Sequence, residues 1–153
     1  SVVGKPVGSG TIHWKSLKKR AQPIIESRFL EDEQDQNIAL LGLQAALELT
    51  QTEPMRKIAH PLFPSLSVLS DRSRLRDVLP RICDSGYHPC GTVPMGADGD
   101  KEAATDGRGR LRGVRGVIVA DASLMPTIPS ANTHLPTLMI GERFGEWLRD
   151  GAI

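Results

Sequence analysis

Residues 87–96 read Tyr-His-Pro-Cys-Gly-Thr-Val-Pro-Met-Gly, and residues 121–134 read Asp-Ala-Ser-Leu-Met-Pro-Thr-Ile-Pro-Ser-Ala-Asn-Thr-His. Pro89, Pro94, Pro126 and Pro129 each fix φ and remove an amide donor, and Gly91 admits backbone that other residues avoid. Both stretches therefore read as sharply bent loops. His88 and the hydrogen-bonding side chains of the second stretch sit on those bends and offer a proton acceptor and a partner for it, which looks like half of an active site. The other half, a Gly-x-Gly-x-x-Gly dinucleotide fingerprint between a strand and a helix, is missing: Gly107-Arg108-Gly109 lacks both the third glycine and the preceding strand.

Immediately before Asp121, Val117-Ile118-Val119-Ala120 is an unbroken apolar run. That is the pattern of a strand buried on both faces of a parallel sheet, and ligands gather at the carboxyl ends of such strands. Asp121 is therefore expected beside a cofactor. Pro136 opens a last helix running through Leu148, with Met139, Ile140, Phe144, Trp147 and Leu148 on its apolar side. Residues 97–112 form a polar, glycine-rich surface loop, and Arg108, Arg110, Arg112 and Arg115 read as a solvated hairpin edge. Upstream, Thr11-Ile12-His13-Trp14 alternates like a short strand or hairpin arm before a basic turn at Lys18-Lys19-Arg20, and Pro23 introduces the apolar pair Ile24-Ile25. Glu31-Asp32-Glu33 start a helix running to about Thr50. Its Ile38, Leu41, Ala45 and Leu49 share one face, widened by Leu40, Leu43 and Leu47, and this face is expected to meet the core. His60 to Pro64 is a turn-rich link. Ser70-Asp71 then caps a second helix carrying Leu75, Val78, Leu79 and Ile82, ended or kinked at Pro80.

The 153 residues hold 19 Lys plus Arg against 18 Asp plus Glu, so no global field recruits nucleic acid or an anionic membrane surface. Cys83 and Cys90 match no zinc spacing; they are expected as reduced thiols of a cytoplasmic protein that binds no metal. No apolar run approaches the ~18 residues needed to span a bilayer. The chain begins Ser1-Val2-Val3-Gly4 without an initiator Met, and a piece of a longer polypeptide is expected.

Three ordered stretches carry a family likeness. They are Tyr87 to Gly96, the run Val114-Arg115-Gly116-Val117-Ile118-Val119-Ala120-Asp121-Ala122-Ser123-Leu124-Met125-Pro126, and Ser130-Ala131-Asn132-Thr133-His134-Leu135-Pro136-Thr137 with Met139-Ile140-Gly141-Glu142. Together they resemble the C-terminal region of the glucose-methanol-choline (GMC) oxidoreductases, FAD-dependent alcohol oxidases and dehydrogenases, and lean towards choline-dehydrogenase-like bacterial members. Gly10 to Asp35, with Phe29-Leu30-Glu31-Asp32, looks like the start of that family's substrate lobe, so the likeness covers nearly the whole chain.

The resemblance implies an α+β fold. Residues 1–96 would form an antiparallel-sheet substrate-binding lobe with helices, and residues 97–153 a loop, strand and terminal helix that complete the FAD-binding lobe, the N-terminal dinucleotide-binding part being absent. It implies a catalytic pair at His88 and Asn132, with FAD meeting Asp121, Ala122, Asn132 and Thr133. His134 stands where the family commonly has a second asparagine, and its part in the site is open. Without that context, His88 beside proline would be an ordinary turn residue and Asn132 a helix cap.

Oxidising an alcohol needs a base for the hydroxyl proton, and an imidazole, ordinarily titrating near pH ~6.5, serves at neutral pH. An asparagine amide donates to the developing alkoxide without ionising. Hydride passes to the flavin, whose reduced, electron-rich pyrimidine edge suits the free amides of a helix N-terminus, here the Asn132-to-Pro136 segment. The expected partners are a small-molecule alcohol and the missing FAD-binding segment, without nucleic acid or a membrane span, and the fragment alone is expected to be inactive. Two alternatives stay open: a hydroxynitrile-lyase-like member of the same fold, and a non-enzymatic interaction fragment whose uncovered apolar face drives assembly into a homo-oligomer.

Overall fold

The computed structural model describes residues 3–16 and 20–153. The chain divides into two compact units, Ser1–Ser85 and Gly86–Ile153. Their boundary falls ahead of the 96/97 division expected from sequence, so the His88 loop belongs with the second unit. Of the expected basic turn, Lys18 and Lys19 lie outside the described residues.

In the first unit, β1 (Thr11–His13) pairs antiparallel with β2 (Ile24–Glu26), Thr11 opposite Glu26 and His13 opposite Ile24. The expected strand is therefore one arm of a hairpin. Asp32 caps α1 (Glu33–Gln51) by accepting the amides of Gln34 and Asp35, as an acidic residue with extended backbone does at a helix start. Two single-turn helices follow, α2 (Glu53–Arg56) and α3 (Leu66–Leu69), and then α4 (Arg72–Ile82). Asp71 caps α4 through the amides of Ser73 and Arg74. Pro80 lies inside α4, which runs on to Ile82; so close to the end, a missing amide costs one bond rather than the helix.

The core of this unit is Leu30, Ala39, Leu40, Leu75 and Leu79, with Leu43 packed against it. The face expected from Ile38, Leu41, Ala45 and Leu49 turns the other way: Leu41 is 58% and Leu49 60% exposed. Asp35 shows why. Its carboxylate, only 3% exposed, accepts the amides of Val7 and Gly8 at 2.9 Å each. With Asp35 held inward, Ala39, Leu40 and Leu43, which follow at helical spacing, point inward too.

In the second unit, α5 (His134–Arg149) packs Ile140 and Phe144 against Leu124 and Met125. Phe144 meets Trp147 edge to face, with ring centroids 5.0 Å apart. Met139 and Leu148, expected on the apolar side, are exposed. The run Val117–Ala120 is not a strand buried on two faces. It makes a single antiparallel bridge, Ile118 to Arg110, with Leu111 N–H donating to the Val117 carbonyl and Val119 N–H to the Gly109 carbonyl, and both Val117 and Ile118 are exposed. A central strand of a parallel sheet has a neighbour on each edge and layers over both faces, whereas within this unit only Gly109–Leu111 lies beside the run, and antiparallel. Gly109, at φ +68°, makes that pairing possible, because a Cβ there would run into the Val119 carbonyl and lie 2.6 Å from the Phe144 ring.

Three of the four arginines of the expected solvated edge also brace backbone, while Arg108, Arg110 and Arg115 are exposed. Arg112 donates to the carbonyls of Gly96, Ala97 and Asp100. Arg108 and Arg110 both donate to the Ala152 carbonyl, and Arg108 lies 5.6 Å over the Trp147 ring. Among the described residues, two antiparallel strands and five α-helices make a small α+β chain. None of these helices is long and apolar enough to cross a membrane.

Candidate active site

Every sequence-predicted site residue lies in the second unit. Tyr87, just before His88, has φ +59°, a left-handed backbone that a non-glycine residue adopts at a cost. Pro89 follows, and Gly91 turns again at φ +75°. From there the chain is fastened: the amides of Gly91, Val93 and Met95 donate to the carbonyls of Ala122, Ser123 and Leu124 at 3.0–3.1 Å. Those carbonyls belong to a 3-10 turn, Ala122–Leu124, that Asp121 caps by accepting from the Ser123 amide and hydroxyl. One oxygen of the exposed Asp121 carboxylate, Oδ1, is thus engaged in holding its own turn.

The third motif reaches the same place through Thr133. This residue is 8% exposed, and its Oγ1 lies 3.5 Å from His88 Nδ1. Its carbonyl accepts both the Thr137 amide and the Thr137 hydroxyl, which anchors the first turn of α5. Asn132 and His134 flank Thr133 and are exposed, as is His88. Among the described residues no hydrogen bond joins Asn132 to His88; Thr133 is the contact between the two loops. The Thr133 side chain does not cap α5, and among the described residues no hydrogen bond takes up the amides of His134 and Leu135.

This donor set, two free amides beside the exposed Asn132 and next to an imidazole, fits the electron-rich edge of a reduced flavin. Cys90 lies between His88 and Gly91 but is packed against the second core, and burial pushes its thiol up. Sequence reasoning assigned Thr133 to the cofactor and missed its contact with His88. The available signal was Pro136, three residues on, which removes one of the two amides a Thr133 cap could accept.

The family model described as GMC oxidoreductase matches residues 6–141. An uncharacterized GMC-type oxidoreductase of Mycobacterium tuberculosis is 34% identical over 147 residues, 94% of this chain and 28% of its own length. Choline oxidase of Arthrobacter globiformis is 32% identical over 143 residues, 92% of this chain and 26% of the oxidase. Among solved structures, pyridoxine 4-oxidase from Mesorbium loti has the same fold, with a TM-score of 0.84 at 23% identity over 96% of this chain and 28% of that one. The chain spans about a quarter of the length of the curated relatives it matches. With the match running from residue 6 to residue 141, it belongs to the GMC oxidoreductase family.

Proposed function

We propose that this chain is the substrate-binding and proton-handling part of an FAD-dependent oxidoreductase acting on CH–OH donors, with His88 as base and Asn132 as donor to the developing alkoxide. The observation that carries this reading is the meeting of three motifs in one unit: the His88 loop is bonded to the Ala122–Leu124 turn and touches Thr133 at the head of α5. Relatives named choline oxidase and alcohol dehydrogenase [acceptor], the latter from Pseudomonas putida at 32% identity, support an alcohol as the donor. They also leave the lyase reading without support.

The alcohol hydroxyl gives its proton to the open nitrogen of His88, Nε2, and the oxygen is held by the Asn132 amide. The chemistry FAD would supply is a hydride acceptor for the carbon that bears the hydroxyl. The residues that would hold it are Asp121 and Ala122 through their backbone, and Asn132 and Thr133 at the free amides opening α5. We assign the first unit to the substrate lobe, and the second, which carries the His88 loop, to completing the FAD lobe, whose dinucleotide-binding part lies on an N-terminal segment. A cytoplasmic location is supported by Cys83 and Cys90 both being free thiols. The exposed Leu41 and Leu49 stripe supports covering of α1 by further protein, including a second copy.

The test is anaerobic mixing of the natural full-length protein, loaded with FAD, with a panel of primary and secondary alcohols while the oxidised-flavin band is followed. One alcohol should bleach it, and His88→Ala should slow bleaching by about 10²–10⁴-fold, the usual worth of a general base. Absence of bleaching by every alcohol defeats the function; unchanged bleaching in His88→Ala defeats the assignment of the base.

A further inference from the structure

Thr133 is at the N-cap of α5, where a threonine hydroxyl ordinarily accepts the amide of the second or third helical residue. The third residue here is Pro136, which has no amide, and the Thr133 side chain makes no cap bond. Its backbone is helical, φ −72° and ψ −10°, rather than extended as at Asp32, Asp71 and Asp121, the cap residues whose side chains do bond their helices. The residue is 8% exposed and its hydroxyl oxygen, which accepts no amide of α5, retains unused lone pairs. The atom that meets it is His88 Nδ1, at 3.5 Å, a length at the edge of hydrogen bonding and of the kind that shortens once a catalytic complex forms.

We propose that Thr133 is a positioning residue for His88: it accepts the Nδ1 proton and so keeps the Nε2 lone pair as the basic position. This inference rests on the proposed role of His88 and deepens it. An imidazole has one proton to place between two nitrogens, and only the nitrogen without it can take a proton from an alcohol. Nδ1–H donating to Thr133 leaves Nε2 free. When Nε2 takes the alcohol proton, both nitrogens carry hydrogen, and the Thr133 oxygen still accepts from Nδ1. The sequence of α5 thereby bears on the chemistry: proline at its third position removes one of the two amides a Thr133 cap could accept, and the hydroxyl leaves the other, that of Leu135, unbonded and faces the histidine.

The experiment is NMR of the natural full-length protein carrying 15N-histidine, with the His88 signals identified by their loss in His88→Gln. The Nδ1–H tautomer of His88 should predominate. Thr133→Val should shift the population towards Nε2–H, and Thr133→Ser should restore it. Pro136→Ala, which returns an amide to the third position and leaves Thr133 untouched, should shift it in the same direction as Thr133→Val. In FAD-loaded protein, Thr133→Val should slow alcohol-driven flavin reduction about five- to tenfold, the equivalent of one ordinary hydrogen bond, with the apparent affinity for alcohol unchanged. An Nε2–H tautomer in the parent protein, or a tautomer indifferent to both Thr133→Val and Pro136→Ala, overturns the proposal. Because the tautomer is read whether or not any alcohol reduces the flavin, failure of this assignment and failure of the alcohol-oxidising function are seen separately.

Discussion

Replacing Gly91 by alanine tests how the His88 loop is held. Gly91 has φ +75°, and a Cβ built on it would lie 3.1 Å from the Met125 carbonyl oxygen. Left-handed backbone costs an L-residue about 1–2 kcal/mol. Loss of glycine's freedom in the unfolded chain returns roughly 0.4–1 kcal/mol of that. The tight approach to Met125 adds a second penalty, because relieving it loosens the Gly91 amide's bond to the Ala122 carbonyl, worth about 1 kcal/mol. The net loss is about 1–2 kcal/mol. Gly99 is the internal control: its φ is +91°, and a Cβ there would meet nothing within 4 Å, so Gly99→Ala carries only the backbone part. Urea unfolding followed by Trp147 emission reports the second unit, and Trp14→Phe removes the one other tryptophan, which is exposed in the first. With a slope of about 1 kcal/mol per molar urea, Gly91→Ala should lower the midpoint by about 1–2 M and Gly99→Ala by about half as much or less. Equal effects would mean that the contact with Met125 carries no weight, and the account of the loop would be wrong.

Two further outcomes follow from charged groups that organise backbone. Asp35→Asn keeps the shape but can accept only one of the two amides from Val7 and Gly8, and should cost the first unit about 1–3 kcal/mol in chemical unfolding; no loss would remove Asp35 as the residue that orients α1. For Asp106, burial pushes the carboxyl up, but the amides of Arg110 and Arg108 and the guanidinium groups of Arg110 and Arg112 more than offset this and hold it below the ordinary carboxylate value. A depressed native pKa contributes stability that is present above the unfolded value of about 4 and is lost as pH falls through the native one. The second unit should therefore weaken on acidification below about pH 5, and Asp106→Asn should be less stable at neutral pH with a flatter acid limb. An identical acid limb in the variant would exclude this carboxylate as its source.

Helix starts were legible because a cap is local: Asp32 and Asp71 announce α1 and α4 within three residues. Which face of α1 turns inward was not, since two apolar stripes run along it and the choice is made by Asp35 bonding to Val7 and Gly8, 28 and 27 residues away. Val117–Ala120 misled for a related reason: apolar continuity says that a segment can be buried, not that neighbours are there to bury it. Positive charge was equally ambiguous, because Arg108, Arg110 and Arg112 look the same in sequence whether they face water or reach carbonyls 12 to 44 residues away. At the site, the motifs named His88 and Asn132, but the link through Thr133 joins residues 45 apart and became visible only once the chain was folded.

The fastening of residues 91–95 to the Ala122–Leu124 turn has a consequence for insertions and deletions. Alternate amides bond successive carbonyls, so Gly91, Val93 and Met95 are engaged while Thr92 and Pro94 are skipped. A slip by one residue would bring Pro94 into the engaged set, where it has no hydrogen to give, and would leave a carbonyl of the turn without a partner. Pro94 is thus a register pin. Indels across residues 91–95 should be rejected, whereas the exposed tip at Asp98 and Gly99 has room to vary in length.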